Sequence, residues 1–292
     1  MPTLKETKTR IESVKSTLKT TSAMKLVSAA KLHRQQAMVE GLHPYESGIL
    51  NIFDRVMRCK DISTGMWTSP REARNVAIVA VSSNSSLCGA FNANIIRLAQ
   101  EAAASHGEAQ VTVYSAGRKM ADAMRKGGFP SPGDYNTLSD KPSYEKAAAL
   151  AHELSTAYLE GKFDCIELVY THFVSSARQI PVRRQWLPFT YTPQEGEEAA
   201  PETQEAAEED DFILEPSPQA LFESLLPRVL KLALYGAFLD SSTSEHAART
   251  VAMQTATDNA ENLLSELTLQ YNKSRQQKIT AEILDLSGGM QE

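Results

Sequence analysis

The residues best equipped for chemistry fall in four places. The first is the polar turn Ser82-Ser83-Asn84-Ser85-Ser86-Leu87-Cys88-Gly89-Ala90-Phe91, which follows the apolar run Val76-Ala77-Ile78-Val79-Ala80-Val81. A strand-to-helix turn of this kind is where a bound phosphate would rest on a helix N-terminus. A dinucleotide fingerprint needs three spaced glycines and an acid closing the second strand. Here Gly89 stands alone and the second strand ends at Tyr114-Ser115, while a Walker loop with its Gly, Lys and Ser/Thr is missing. The second group is the histidines, His33, His43, His106, His152, His172 and His246, which show neither HxxxH nor HExxH pairing. The third is Cys59, Cys88 and Cys165, far apart and without metal spacing. An odd, sparse set suits free thiols in a reducing compartment. Cys88 beside a helix start is the one whose thiol would be activated, against the competing reading of a buried structural cysteine. The fourth, Ser244-Glu245-His246, has the composition of a catalytic triad, but sequence neighbours on a helix do not face one another. The expectation is no catalytic residue, no metal site and no cofactor.

Charge is distributed unevenly. Residues 194–215 hold ten acids and no Lys or Arg, so removing them from the net charge of -6 leaves the rest at +4. Residues 2–35 carry Lys5, Lys8, Arg10, Lys15, Lys19, Lys25, Lys31 and Arg34 against Glu6 and Glu12. A basic arm of this kind suits nucleic acid, an anionic membrane surface or acidic protein partners. The absence of any aromatic residue before Tyr45 argues against base stacking, hence against nucleic acid. No apolar run is long enough to span a bilayer. Met1-Pro2-Thr3-Leu4-Lys5-Glu6 lacks the apolar core of a secretory signal, so the chain is expected to be cytosolic.

The elements that must position these residues follow from hydrophobic period. Leu4, Ile11, Leu18, Lys25 and Leu32 recur every seven residues, with Thr7, Val14, Thr21 and Ser28 three places after the first four. That is a thin, partly polar a/d seam, which needs a partner helix. Gly41 and Pro44 are expected to kink or interrupt this helix, and a second helical stretch covers 47–58. Strand and helix signals then alternate: strands at 76–81, 111–114 and 165–170, helices at 90–105, 118–126 and 143–159, and an edge strand at 181–188. From Pro218 to about Leu286 the chain is helical again, with a stripe at Ala252, Ala256, Leu263 and Leu267 and another at Ile279, Ile283 and Leu286. The fold class is α/β: two long terminal helices form an antiparallel coiled coil flanking a central Rossmann-like domain. The expected divisions are 1–58, an N-terminal coiled-coil helix; 71–192, the α/β domain; 193–215, an acidic insertion whose composition favours disorder; and 216–292, the C-terminal helix. A small α/β enzyme with helical arms and a generic coiled-coil scaffold also satisfy this pattern.

Several segments together carry a family resemblance. Thr20-Thr21-Ser22-Ala23-Met24-Lys25-Leu26-Val27-Ser28-Ala29-Ala30-Lys31, Ser86-Leu87-Cys88-Gly89-Ala90-Phe91-Asn92 and Phe212-Ile213-Leu214-Glu215-Pro216-Ser217 occur in that order. They are followed by Ser244-Glu245-His246-Ala247-Ala248-Arg249-Thr250-Val251-Ala252-Met253, then Tyr271-Asn272-Lys273-Ser274-Arg275-Gln276 and Ile279-Thr280-Ala281-Glu282-Ile283. This series resembles the gamma-subunit family of rotary F-type ATP synthases, of bacterial type, across nearly the whole chain. The resemblance implies a non-catalytic rotor shaft that couples proton-driven rotation to ATP synthesis, as a peripheral protein on the cytoplasmic side of the cell (inner) membrane. Its implied partners are the alpha and beta subunits, the epsilon subunit and the ring of c subunits. It implies beta-subunit contacts at Met24, Lys25, Arg249, Arg275 and Gln276, and a foot at Phe212 and Glu215 toward epsilon and the c ring. The chain departs from the family at Asn84-Ser85-Ser86, where Asp-Arg-Gly is common, and in the acidic stretch 194–211. It has no counterpart of the redox-regulatory cysteine pair of plant chloroplast members.

Overall fold

The computed structural model describes residues 3–59, 62–190 and 214–288, with side chains as far as Leu284. Phe212 and nearly all of the acidic stretch therefore lie outside the described residues.

Helix α1 (Leu4–Met57) opens on a capping box: Thr3 Oγ1 accepts from the Glu6 amide, and the Glu6 carboxylate accepts from the Thr3 amide at 2.8 Å. Both ties satisfy amides that the first turn would leave bare. The heptad seam shows directly in burial. Thr7, Thr21, Ser28, Leu32 and Gln35 are buried, and Leu4, Ile11, Val14, Leu18 and Lys25 are half-buried. The expected interruption at Gly41 and Pro44 is not there; α1 runs through both. A proline inside a helix costs roughly 3 kcal/mol. That cost is met by burying Ile49, Phe53 and Val56 one to three turns further on.

The central sheet has the order β2-β1-β3-β4, formed by β1 (Asn75–Val81), β2 (Gln110–Ala116), β3 (Cys165–Phe173) and β4 (Gln179–Leu187). β1 pairs parallel with β2 and with β3, and β4 adds an antiparallel edge. After Asn75 strand β1 is wholly apolar because both its faces are covered. Ala77, Val79 and Val81 face one core, with α5 (Tyr144–Leu159) and the lower parts of the two long helices. Val76, Ile78 and Ala80 face the other, with α2 (Phe91–Ser105) and α3 (Arg118–Lys126). A short helix α4 (Asn136–Asp140) and one 3-10 turn (Gly65–Trp67) complete the domain. The period of neither was legible, since a single turn carries too few residues to show one.

Helix α6 (Pro218–Gly288, 71 residues) begins inside the first core, where Phe222, Leu226, Leu230 and Phe238 are buried, and then leaves the domain along α1. The pairing is antiparallel. Thr257 Oγ1 donates to Thr21 Oγ1 at 3.1 Å, and Lys25 Nζ donates to Gln254 Oε1 at 2.6 Å. The α6 seam is Met253, Thr257, Ala260 and Leu267, all buried, with Ala252, Ala256 and Leu263 half-buried beside it. Ile279 and Ile283 do not pack as the sequence suggested; they are 46% and 59% exposed. The register explains it: with Thr21 opposite Thr257, Leu4 lies level with Ser274, so α1 has ended before Ile279 is reached.

Candidate functional site

Where the upper part of α6 meets the domain, polar residues converge. The turn after β1 is held by its own side chains. Ser83 Oγ donates to Asn92 Oδ1 at 2.9 Å, Asn92 Nδ2 donates to the Ser85 carbonyl at 3.1 Å, and the Arg118 amide donates to Asn84 Oδ1 at 3.0 Å. Gly89 (φ +59) lets the backbone approach α6, where a β-carbon on it would stand 3.8 Å from Ala252 Cβ. Leu87 takes a positive φ of 68° and is 59% exposed. A left-handed leucine persists only where its surroundings fix it. What fixes this one comes from α6: Arg249 donates to the Ser86 carbonyl at 2.5 Å, to Ser85 Oγ at 2.9 Å and to Glu245 Oε1 at 2.7 Å.

Glu245 and His246 are both buried here. Burial pushes the Glu245 carboxyl up from its ordinary range, against the pull of Arg249. Burial also lowers His246 to about 4, helped by the positive charges of Lys31 and Arg249, so the imidazole is neutral at physiological pH. Ser244 Oγ donates to the Thr171 carbonyl at 3.2 Å. Ser244 and Glu245 thus turn to different partners while His246 Nδ1 is buried without one, so the three neighbours do not form a relay. A cleft of about 220 Å³ lies between the start of α2, the β3–β4 hairpin and α6. Its lining residues include Cys88, Phe91, Asn94, Thr171 and Val251 but no charged side chain, so a phosphate would find no counter-charge there. Cys88 and Cys165 are buried and Cys59 is half-exposed; burial pushes the Cys165 thiol up to about 11.

The residues implied as partner contacts are scattered along the shaft. Met24 and Lys25 are half-buried on α1, and Lys25 is already bonded to Gln254 rather than free on an outer face. Beside them Leu26 and Val27 are 68% and 59% exposed, two apolar residues that sequence reasoning passed over because they fall between seam positions. Arg275 and Gln276 are exposed on the last turns of α6, with Tyr271 half-buried toward α1. Glu215 is exposed just before α6 begins. Arg249 departs from the expectation of an outward contact: its side chain is only 9% exposed and both its terminal nitrogens donate within the chain. The signal for this lay in Glu245, one helical turn earlier, which is in reach of Arg249 on the same face.

The described residues include no helix long and apolar enough to cross a membrane. In overall shape the chain is similar to a chain from the mitochondrial ATP synthase of Euglena gracilis, solved with its OSCP, F1 and c-ring parts. The TM-score is 0.67 at 20% identity, covering 99% of this chain and 93% of that one. A chain of the central stalk and c-ring assembly from Tetrahymena thermophila mitochondria aligns with a TM-score of 0.55 at 22% identity, over 81% of this chain and 98% of that one. Among sequences, the ATP synthase gamma chain of Bacteroides thetaiotaomicron is 45% identical over 295 residues, spanning 99% of both chains. That of Moorella thermoacetica is 36% identical over 289 residues, covering 99% of this chain and 98% of its own. A family model described as ATP synthase matches residues 3–291. The helix–domain–helix architecture, the full-length identity and the family match agree: this chain belongs to the ATP synthase gamma-chain family.

Proposed function

We propose that this chain is the central rotor shaft of a proton-translocating ATP synthase, turned by the c ring and acting on the catalytic beta subunits. The observation that carries the reading is the long, eccentric α1–α6 pair rising from one side of a compact α/β foot. A shaft of two unlike helices has no rotational symmetry, so it meets three equivalent subunits with three different faces. If the shaft angle changes nucleotide affinity, nucleotide occupancy must bias the shaft angle by the same free energy. Synthesis and hydrolysis are that coupling run in opposite directions. Bond making and breaking belong to the beta subunits, and this chain is a non-catalytic subunit.

The seam suits such a task. Thr7, Thr21, Ser28, Gln35 and Thr257 are buried where a coiled coil built for stability would place Leu or Ile. In this reading Met24 and Lys25 face a lever segment of beta, Arg275 and Gln276 bond a catch loop of beta, and Phe212 and Glu215 stand at the foot near epsilon and the c ring. Membrane attachment is peripheral, through the complex, on the cytoplasmic face. Exposed Ile279, Ile283 and Leu284 beyond the end of α1 favour the reading over a free-standing scaffold, because an apolar stretch exposed at the tip of a rod marks a surface for a partner.

Arg275 and Gln276 test it. Both heads are exposed, so alanine at both positions is expected to leave the helicity and melting of the isolated chain unchanged. A charge-assisted bond to a partner contributes about 1.5–3 kcal/mol and a neutral one less. In the reassembled complex the double variant should therefore lower ATP turnover and proton-coupled synthesis several-fold, with nucleotide binding to isolated beta untouched. Wild-type rates would remove the catch assignment, and lost helicity in the free chain would assign the pair to packing.

A further inference from the structure

A rod anchored at one end is strained most where it enters its support. From Arg249 to the end of α6 the shaft runs on for 39 residues, about 60 Å at ~1.5 Å per residue, and among the described residues its hydrogen bonds to other elements beyond this point go to α1. Below that point α6 is tied to the domain repeatedly. Trp186 Nε1 donates to the Leu230 carbonyl at 3.3 Å, the Phe173 amide donates to Asp240 Oδ1 at 2.8 Å, and His172 Nδ1 lies 2.6 Å from Asp240 Oδ2. The bond from Ser244 to Thr171 comes next, and Arg249 is the uppermost of these polar ties among the described residues. The helix-to-helix bonds that follow, at Gln254 and Thr257, go to α1 instead.

We propose that Arg249 is a positioning residue, a clamp at the root of the shaft that locks the turn after β1 onto α6, so that twist applied to the α/β domain enters the helix pair without slip. Three features support this. Its guanidinium bonds three acceptors on two elements, and it is the planar, multidentate group suited to that task. Glu245, buried one turn below, neutralises the charge and fixes its direction. The clamped turn has no other bond to α6 among the hydrogen bonds of the described residues, and it is tied across itself by Ser83 and Asn92 and to the domain by Asn84, so it moves with the domain and meets α6 through one polar clamp. On the α1 side a weaker strut, Lys31 to Asp140 of α4 at 3.6 Å, braces the same level. The proposal rests on the shaft reading and adds to it: Arg249 serves coupling from inside the chain rather than by touching a partner.

Arg249→Ala, Arg249→Lys and Ser85→Ala separate the possibilities in the assembled, membrane-reconstituted complex. Two quantities are read: protons pumped per ATP hydrolysed, and hydrogen exchange of the amides of residues 83–91. Arg249→Ala is expected to lower pumping per ATP at least threefold and to speed exchange in the turn about tenfold. Arg249→Lys, which keeps the charge but not the fork, should recover part of both. Ser85→Ala removes one acceptor and should move both in the same direction by less, which keeps the test open if Arg249→Ala does not assemble. Exchange at the wild-type rate in every variant, or faster exchange with pumping per ATP intact, would overturn the clamp. A wild-type complex whose pumping does not depend on this chain would instead overturn the shaft reading, leaving the exchange result to judge the clamp.

Discussion

Phe53→Ala is expected to destabilise the chain by about 3–5 kcal/mol, the usual loss for emptying a buried phenylalanine site. Phe53 is fully buried and lies on α1, but its neighbours come from elsewhere. The Phe189 ring meets it edge-on at 5.5 Å, and the Phe222 ring of α6 lies 5.9 Å away at 26°. One side chain thus joins the shaft's first helix, the segment after β4 and the shaft's second helix. Urea denaturation of the purified chain checks the figure. A loss under about 1 kcal/mol would show that the cavity collapses and that the foot of the shaft is not one body with the domain. Because total stabilities are about 5–15 kcal/mol, the variant should also assemble poorly at elevated temperature.

Gly117→Ala is expected to be comparably damaging for a different reason. Gly117 has φ +106, a conformation open to glycine and costly for any other residue. A β-carbon there would stand 2.7 Å from the Ser82 carbonyl carbon and closer still to its oxygen. That backbone cannot retreat. The Ser82 amide donates to the Ala116 carbonyl, the Ser82 carbonyl accepts from Ser139 Oγ, and Ser82 Oγ accepts from the Met120 amide at 2.8 Å. Overpacking of about 1–3 kcal/mol adds to backbone strain of about 1–3 kcal/mol. Gly41→Ala is the control, because nothing lies within 4 Å of its added carbon and the site is inside a helix. There alanine should stabilise by about 0.5–1 kcal/mol. Thermal melts of the two variants should move in opposite directions. Equal shifts of the same sign would contradict the assigned backbone at Gly117.

The heptad of α1 and the four strands were readable from the chain because both signals are local: a seven-residue period and short apolar or alternating runs need only near neighbours. Pro44 misled because its penalty is local, whereas the burial of Ile49, Phe53 and Val56 that offsets it comes from contacts distant in sequence. Ile279 and Ile283 were read as seam residues because their spacing is right, but exposure there depends on where α1 starts relative to α6, which the helix-to-helix pairing at Thr21 and Thr257 reveals. Among the site residues, the outward placement of Arg275 and Gln276 could be inferred from their polarity beside Tyr271. For Arg249 only the pairing with Glu245 one turn earlier was local enough to read; its acceptors at Ser85 and Ser86 lie more than 160 residues away in the chain.

Cys59 offers the most direct test of the shaft account. It is half-exposed at the foot of α1, whereas Cys88 and Cys165 are buried. A bead attached through Cys59, in a complex assembled with cysteine-free alpha and beta subunits and fixed to a surface by beta, should turn in one direction when ATP is added and stop when it is withdrawn. A bead that stays still while the same complexes hydrolyse ATP at their full rate would contradict the account.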